Sequence, residues 1–202
     1  MKPGHVYGEH AMGDGTAVTL RAPRKSDLDQ FLKFANAIVR ERRTNRELGI
    51  TSLDRRVKRA DEKKFLDRVM TGVRTGNVVS VCAFDDGRVV GSCDVTRRKS
   101  RDERHSGVLG IVILDGYRGK GLGQAMVSVA LEEARRLGVW LVELAVFVTN
   151  ARARHVYEKH GFKTVGFVPY KILRDGRFTG EVNMYVDLRR RGASAATRVP
   201  HS

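Results

Sequence analysis

The chain has 202 residues, 41% of them hydrophobic, with Lys+Arg 38 against Asp+Glu 23, a formal net charge of +15 and a pI near 10.4. That length and apolar content supply one well-buried core and leave too little for a second. No run approaches the roughly eighteen apolar residues of a membrane span, and Met1-Lys2-Pro3-Gly4-His5 does not open a secretory leader, so a soluble, cytoplasmic protein is expected.

The charge keeps polyanions on the list of partners. Aromatics are only 7%, however, the basic residues are widely spread and no nucleic-acid motif is present, which disfavours specific nucleic-acid binding. The two cysteines, Cys82 and Cys93, form no C-x-x-C pair and have no histidine cluster beside them, so no metal site is expected.

Residues 1–16 are glycine-rich without an apolar period and read as a flexible N-terminal tail. Val18-Thr19-Leu20-Arg21 alternates as a short strand that Pro23 stops. Ser26 and Asp29 have the spacing of a capping box, opening a helix through Leu28, Phe31, Leu32, Ala35 and Ile38. Residues 40–75 are dense in Arg and Lys, and from about Leu53 to Thr71 the spacing of Phe65, Leu66, Val69 and Met70 predicts a basic amphipathic helix. Val78 to Phe84 and Val89 to Val95 flank Asp85-Asp86-Gly87-Arg88 as a hairpin. A two-residue turn there sets Cys82 opposite Gly91 and Cys93 opposite Ser80, diagonal neighbours too far apart to bridge.

Gly107 to Leu114 is a further strand, and a helical stripe of Ala125, Met126, Val129, Ala130, Ala134 and Leu137 ends at Gly138. Trp140 to Val148 is apolar on both alternating faces, as in a central strand, with Glu143 its lone carboxylate. Asn150 can cap a helix carrying Ala153, Val156 and Tyr157 and ending at Gly161. Two strands follow, about Thr164 to Leu173 and Glu181 to Leu188, joined by Asp175-Gly176. Residues 17–188 make one domain, and 189–202 read as a basic C-terminal tail.

Between the strand and the helix stands Arg118-Gly119-Lys120-Gly121-Leu122-Gly123. Three glycines in five positions allow close backbone approach and leave amide N–H groups unpaired at a helix start, where the dipole favours phosphate oxygens. Arg118 and Lys120 add two cations, so a pyrophosphate is the expected guest. The turn matches neither G-x-x-x-x-G-K-[ST] nor G-x-G-x-x-G.

Its R-x-x-G-x-G pattern, with Leu109-Gly110-Ile111-Val112-Ile113 before it and Asn150 to Phe162 after it, resembles the acetyl-coenzyme A signature of the GNAT superfamily of N-acetyltransferases. The resemblance implies an α/β fold, a mixed and mostly antiparallel central sheet with helices on both faces. It implies acetyl-CoA as co-substrate and a primary amine as acceptor, attacked directly in a ternary complex without metal; a homodimer is compatible with it.

By the same resemblance the turn from Arg118 through Gly119, Lys120, Gly121, Leu122 and Gly123 to Gln124 grips the pyrophosphate, and the backbone of Ile111, Val112 and Ile113 holds the pantetheine arm and acetyl carbonyl. Asn150 bonds that arm, Tyr157 is the general acid beside the sulfur, and the basic region after residue 40 roofs the acceptor. The glutamate that some members place near the acceptor has no counterpart between Gly107 and Ile113. Glu143 is then the candidate base, on the ground that burial would perturb it. A second reading is a basic module that binds a nucleotide-like ligand or nucleic acid without catalysis.

Overall fold

A computed structural model describes residues 2–45 and 47–189. Eight strands form one sheet in the order β1-β2-β3-β4-β5-β6-β8-β7, all neighbours antiparallel except β5 and β6. The strands are β1 (Val6–Ala11), β2 (Ala17–Arg21), β3 (Val78–Asp85), β4 (Arg88–Arg97), β5 (Ser106–Ile113), β6 (Leu141–Phe147), β7 (Lys163–Arg174) and β8 (Arg177–Asp187). The helices are α1 (Leu28–Glu41), α2 (Arg59–Thr75), α3 (Leu122–Arg136) and α4 (Ala151–Lys159).

Helices pack on both faces, as strand alternation shows. Gly72 of α2 lies so close to Val78 that a Cβ there would stand 2.4 Å from its Cγ2, whereas a Cβ on Gly91 would meet Met126 Sδ of α3 at 3.1 Å. Gly91 pairs with Ala83, five residues from Val78 along β3, so the two contacts lie on opposite faces. The core between sheet and α3 is apolar and enclosed: Met126, Val127, Ala130 and Ala134 are fully buried.

Four expectations are corrected. The expected N-terminal tail contains β1, paired with β2 and joined to it by the turn Gly13-Asp14-Gly15, in which Thr16 N–H donates to Asp14 Oδ1 at 3.1 Å. Tyr7 anchors this hairpin by donating from its hydroxyl to the Ser80 carbonyl at 3.0 Å, and Met12 is buried at its end. Too few apolar residues line the strand to give a period, because only part of one side touches the core.

The capping box forms on Asp27 rather than between Ser26 and Asp29. Asp27 accepts from Arg24 N–H at 2.6 Å and takes both guanidinium nitrogens of Arg21, while Asp29 pairs with Arg59. Helix α2 starts six residues later than expected, because residues before it run extended and Asn36 pins Val57 through both its N–H and its carbonyl. Finally, the turn at Asp86 and Gly87 has positive φ at both positions, as a two-residue hairpin requires, but a bulge at Val90 shifts the register. Cys82 faces Ser92 and Cys93 faces Val81, on opposite sides of the sheet, and both thiols are free and buried. Of the expected basic C-terminal tail, all but Arg189 lies outside the described residues.

Candidate active site

Parallel pairing between β5 and β6 stops after three registers: Ser106 with Leu141, Gly107 with Val142, and Val108 with Glu143. Beyond them β6 turns to β8 and β5 continues to Ile113 with its outer edge unpaired. Ile111, Val112 and Ile113 stand on this open edge, partly buried.

The edge leads into the glycine turn. Gly119 (φ 76) and Gly121 (φ 87) take left-handed backbone angles that other residues adopt at a cost, the kind of backbone that builds an amide nest for an anion. Arg118 N–H donates to the Asp115 carbonyl and Gln124 N–H to that of Gly121. Between them, the N–H groups of residues 119–123 have no acceptor among the described residues. These amides lie at the positive end of α3, with Leu122 buried beneath as the anchor. The Gln124 N–H is therefore outside the set of free donors.

Both cations expected to meet the phosphates already have carboxylate partners. Arg118 is clamped on Glu41 at the end of α1 by both terminal nitrogens, one contact at 2.9 Å, and its Nε donates to the Ile113 carbonyl at 2.8 Å. Lys120 Nζ lies 2.8 Å from Asp14 Oδ2 and donates to the Gly116 carbonyl at 2.6 Å. The Lys120 hydrogen bond and that from Thr16 N–H hold the Asp14 carboxyl down at about 2. A single-sequence reading could not supply these partners, since Glu41 and Asp14 lie 77 and 106 positions away.

Two residues near the turn escaped the sequence reading. Arg152 at the start of α4 places Nη1 3.7 Å from where a Cβ on Gly119 would stand, with no carboxylate partner among the described residues. His10 of β1 brings its Nε2, buried and without a hydrogen-bond partner among the described residues, to 3.7 Å from the corresponding point on Gly121. Position in a helix first turn was the one available signal for Arg152; nothing in the sequence pointed to His10.

Asn150 caps α4 by accepting from Ala153 N–H at 3.0 Å, and its amide nitrogen is 3.5 Å from the Glu47 carbonyl. Two turns on, Tyr157 is buried against Phe162, ring centroids 5.7 Å apart. Its hydroxyl makes no hydrogen bond among the described residues, and burial first, then the neighbouring Cys93, raises its pKa so that it keeps its proton. Glu143 does not meet the premise on which it was chosen. Its side chain is 42% exposed at the closed end of the β5–β6 junction and is paired with Arg98 at 2.7 Å.

Cavities of about 380 and 400 Å3 flank α1, sharing Lys33 and Arg40, and neither includes a residue of the turn. Among the described residues no helix is long and apolar enough to cross a membrane, and no cluster of His, Cys, Asp or Glu could hold a metal.

An unpaired strand edge thus leads into a nest of five amides at a helix start that are free among the described residues, the geometry that suits an anion. The model of the Acetyltransferase (GNAT) family matches residues 38–162, and the chain belongs to that family. It is 35% identical over 104 residues to the L-amino acid N-acetyltransferase AaaT of Escherichia coli (strain K12), covering 50% of this chain and 63% of that protein. The chain spans less than two-thirds of the curated relatives it matches first. Among solved structures it resembles a GNAT-family acetyltransferase from Streptococcus pneumoniae, with a TM-score of 0.72 at 27% identity, covering 83% of this chain and 98% of that one. It also resembles yncA, a putative acetyltransferase from Salmonella typhimurium solved with acetyl-CoA, with a TM-score of 0.72 at 20% identity over 89% of this chain and 98% of that one.

Proposed function

We propose that the protein transfers an acetyl group from acetyl-CoA to a primary amine, which attacks the thioester directly within a ternary complex. The observation that carries this reading is the run of five unpaired amides, residues 119–123, placed where the free edge of β5 ends. Bound acetyl-CoA supplies an activated acyl group on a thiol leaving group.

The chain's own residues do the rest. Amides 119–123 bind the pyrophosphate, and unpaired backbone groups of β5 orient the arm and donate to the acetyl oxygen. Asn150 caps α4 with its side-chain oxygen, and its amide nitrogen, which reaches the Glu47 carbonyl at 3.5 Å, has a second N–H for the arm. Tyr157, held neutral by burial, gives its proton to the departing sulfur; because a thiol has a pKa near 8.5, this help is modest. The AaaT relative acts, by its name, on L-amino acids. With a net charge of +15, anionic amines and acidic proteins are favoured over polycations as acceptors. Free buried thiols suit a reducing cytoplasm.

The test is coenzyme A release from acetyl-CoA across amine classes, combined with calorimetry of coenzyme A binding to the wild type and to Gly121→Val. Turnover with at least one amine class, and loss of binding in the variant, are expected. Unchanged affinity in Gly121→Val overturns the proposed site, and absence of turnover with every amine overturns the activity.

A further inference from the structure

On the face shared with α2, the sheet is covered over β3 and open beyond β4. Ser80 and Cys82 of β3 are buried, whereas their partners Asp94 and Ser92 on β4 are only partly so. Across the next ladder, Gly110 pairs with Asp94 and Val112 with Ser92, and here Val108 and Gly110 are exposed. The carboxylate of Asp94 thus stands at the rim between a helix-covered and a bare stretch of sheet, one strand from the unpaired edge of β5.

Two details mark this rim as built for chemistry. Asp94 Oδ2 accepts a long hydrogen bond from Ser92 Oγ at 3.4 Å, and Oδ1, shut off from solvent, has no donor among the described residues. A buried acceptor without a donor is costly in a fold and calls for a functional account. Gly110, directly opposite and about 5 Å away between Cα atoms, has no positive φ and no atom within 4 Å of where a Cβ would stand. Neither backbone strain nor crowding requires glycine there. Its missing side chain leaves a clear lane over β5, from the Asp94 carboxylate to the edge along which the thioester would lie.

Resting on the acetyltransferase reading above, we propose that Asp94 is the catalytic base that deprotonates the acceptor amine and that Gly110 is the opening through which the amine reaches the thioester. Asp94 takes one proton from the incoming R–NH3+, and the freed lone pair forms the C–N bond to the acetyl carbon. The C–S bond breaks and the sulfur takes the Tyr157 proton. Tyr157 is restored by the second proton leaving nitrogen, and Asp94 releases the first to water. One proton is thus released per amide formed.

The chemistry of the site agrees. Burial raises the Asp94 carboxyl to about 6, with the nearby hydroxyls of Ser80 and Ser92 opposing, so it is ionised at neutral pH yet basic enough to be useful. The titratable groups in its reach are Tyr7 of β1, Cys82 of β3 and Cys93 beside it. All three are pushed upward and are neutral at pH 7. Glu143, the next acid on this face, is held by Arg98.

The experiment compares the wild type with Asp94→Asn and Gly110→Val, using acetyl-CoA with the best amine of the panel. In the wild type, kcat/KM should fall below a pH of about 6. Carbon-13 NMR of the free protein should show one aspartate carboxyl titrating there, a resonance that Asp94→Asn removes. Asp94→Asn should lose about 10²- to 10⁴-fold in kcat/KM at pH 7 and regain activity tenfold per pH unit as the amine itself deprotonates. It should melt no lower than the wild type and bind coenzyme A equally well. Gly110→Val should fold and bind coenzyme A normally but lose at least about tenfold in kcat/KM for the amine, the loss growing with the bulk of the amine. Wild-type turnover with an unaltered pH profile in Asp94→Asn sinks this proposal and leaves the acetyltransferase reading intact. Wild-type protein that turns over no amine sinks both.

Discussion

Replacing Arg118 by methionine keeps the aliphatic stem and removes the guanidinium. Arg118 and Glu41 are 18% and 16% exposed, and their bidentate contact ties the glycine turn to the end of α1. Removing one partner of a buried pair costs about 3–5 kcal/mol, mostly by stranding the other charge. With this degree of exposure water recovers part of that, which leaves about 2–3 kcal/mol. A domain of this size melts about 2–4 °C lower per kcal/mol, so a fall of roughly 4–12 °C is expected. Glu41→Met should cost a similar amount, and the double variant should cost clearly less than the sum, because no charge is stranded. Thermal unfolding of the three proteins, with coenzyme A titrations at low salt, measures both quantities. An unchanged melting temperature in Arg118→Met with tenfold weaker coenzyme A binding would refute the strut and return Arg118 to the phosphates.

Arg152→Ala should weaken coenzyme A binding about three- to tenfold at low ionic strength and hardly at all in about 0.5 M salt, as for an exposed cation beside a phosphate; equal affinities at low salt would remove Arg152 from the site. Tyr157→Phe should retain its stability, since the hydroxyl gives up no hydrogen bond, while kcat falls about ten- to a thousandfold; equal kcat values would leave the ring as packing. Asp94 also has a stability signature. Its folded-state pKa, near 6, lies above the ordinary aspartate value of 3.8, so its contribution is fully present below about 4 and is lost as pH rises through about 6. Asp94→Asn should therefore be more stable than the wild type at pH 7–8, by on the order of 3 kcal/mol, with the gap closing towards pH 4. A gap that widens on acidification contradicts the assigned burial.

Local signals carried most of the fold. Asp86-Gly87 and Asp175-Gly176 mark turns because left-handed backbone is cheap there, and the α3 stripe shows because that helix buries one whole side. The glycine turn was visible for the same reason: its conformation is written in the residues that adopt it. What escaped was set by distant partners. The bulge at Val90 interrupts the β3–β4 ladder while the Val90 carbonyl accepts from Leu114 N–H at 2.9 Å, and no local count reveals it. The Arg118 and Lys120 cations looked free because their carboxylates come from elements far along the chain. Glu143 stood out as a lone acid in an apolar strand, although alternation alone could not say that its side of β6 is the open one. Asp94 was overlooked because a strand acid beside serines reads as an ordinary exposed position until the covering helices are in place.

The glycine turn is moored on both flanks, by Arg118 to α1 and by Lys120, together with the Gly13 N–H bond to the Lys120 carbonyl at 3.0 Å, to the first hairpin. A loop held in this way has already surrendered its conformational freedom, so a ligand that closes on the amides loses less entropy on arrival. The two moorings should then govern how long coenzyme A resides rather than how quickly it arrives. Loosening the first hairpin, by Asp14→Ala or by trimming residues 2–12, should raise the dissociation rate with little change in the association rate. Residues of the first hairpin, in a segment outside the stretch matched by the family, would thereby set its lifetime on the protein.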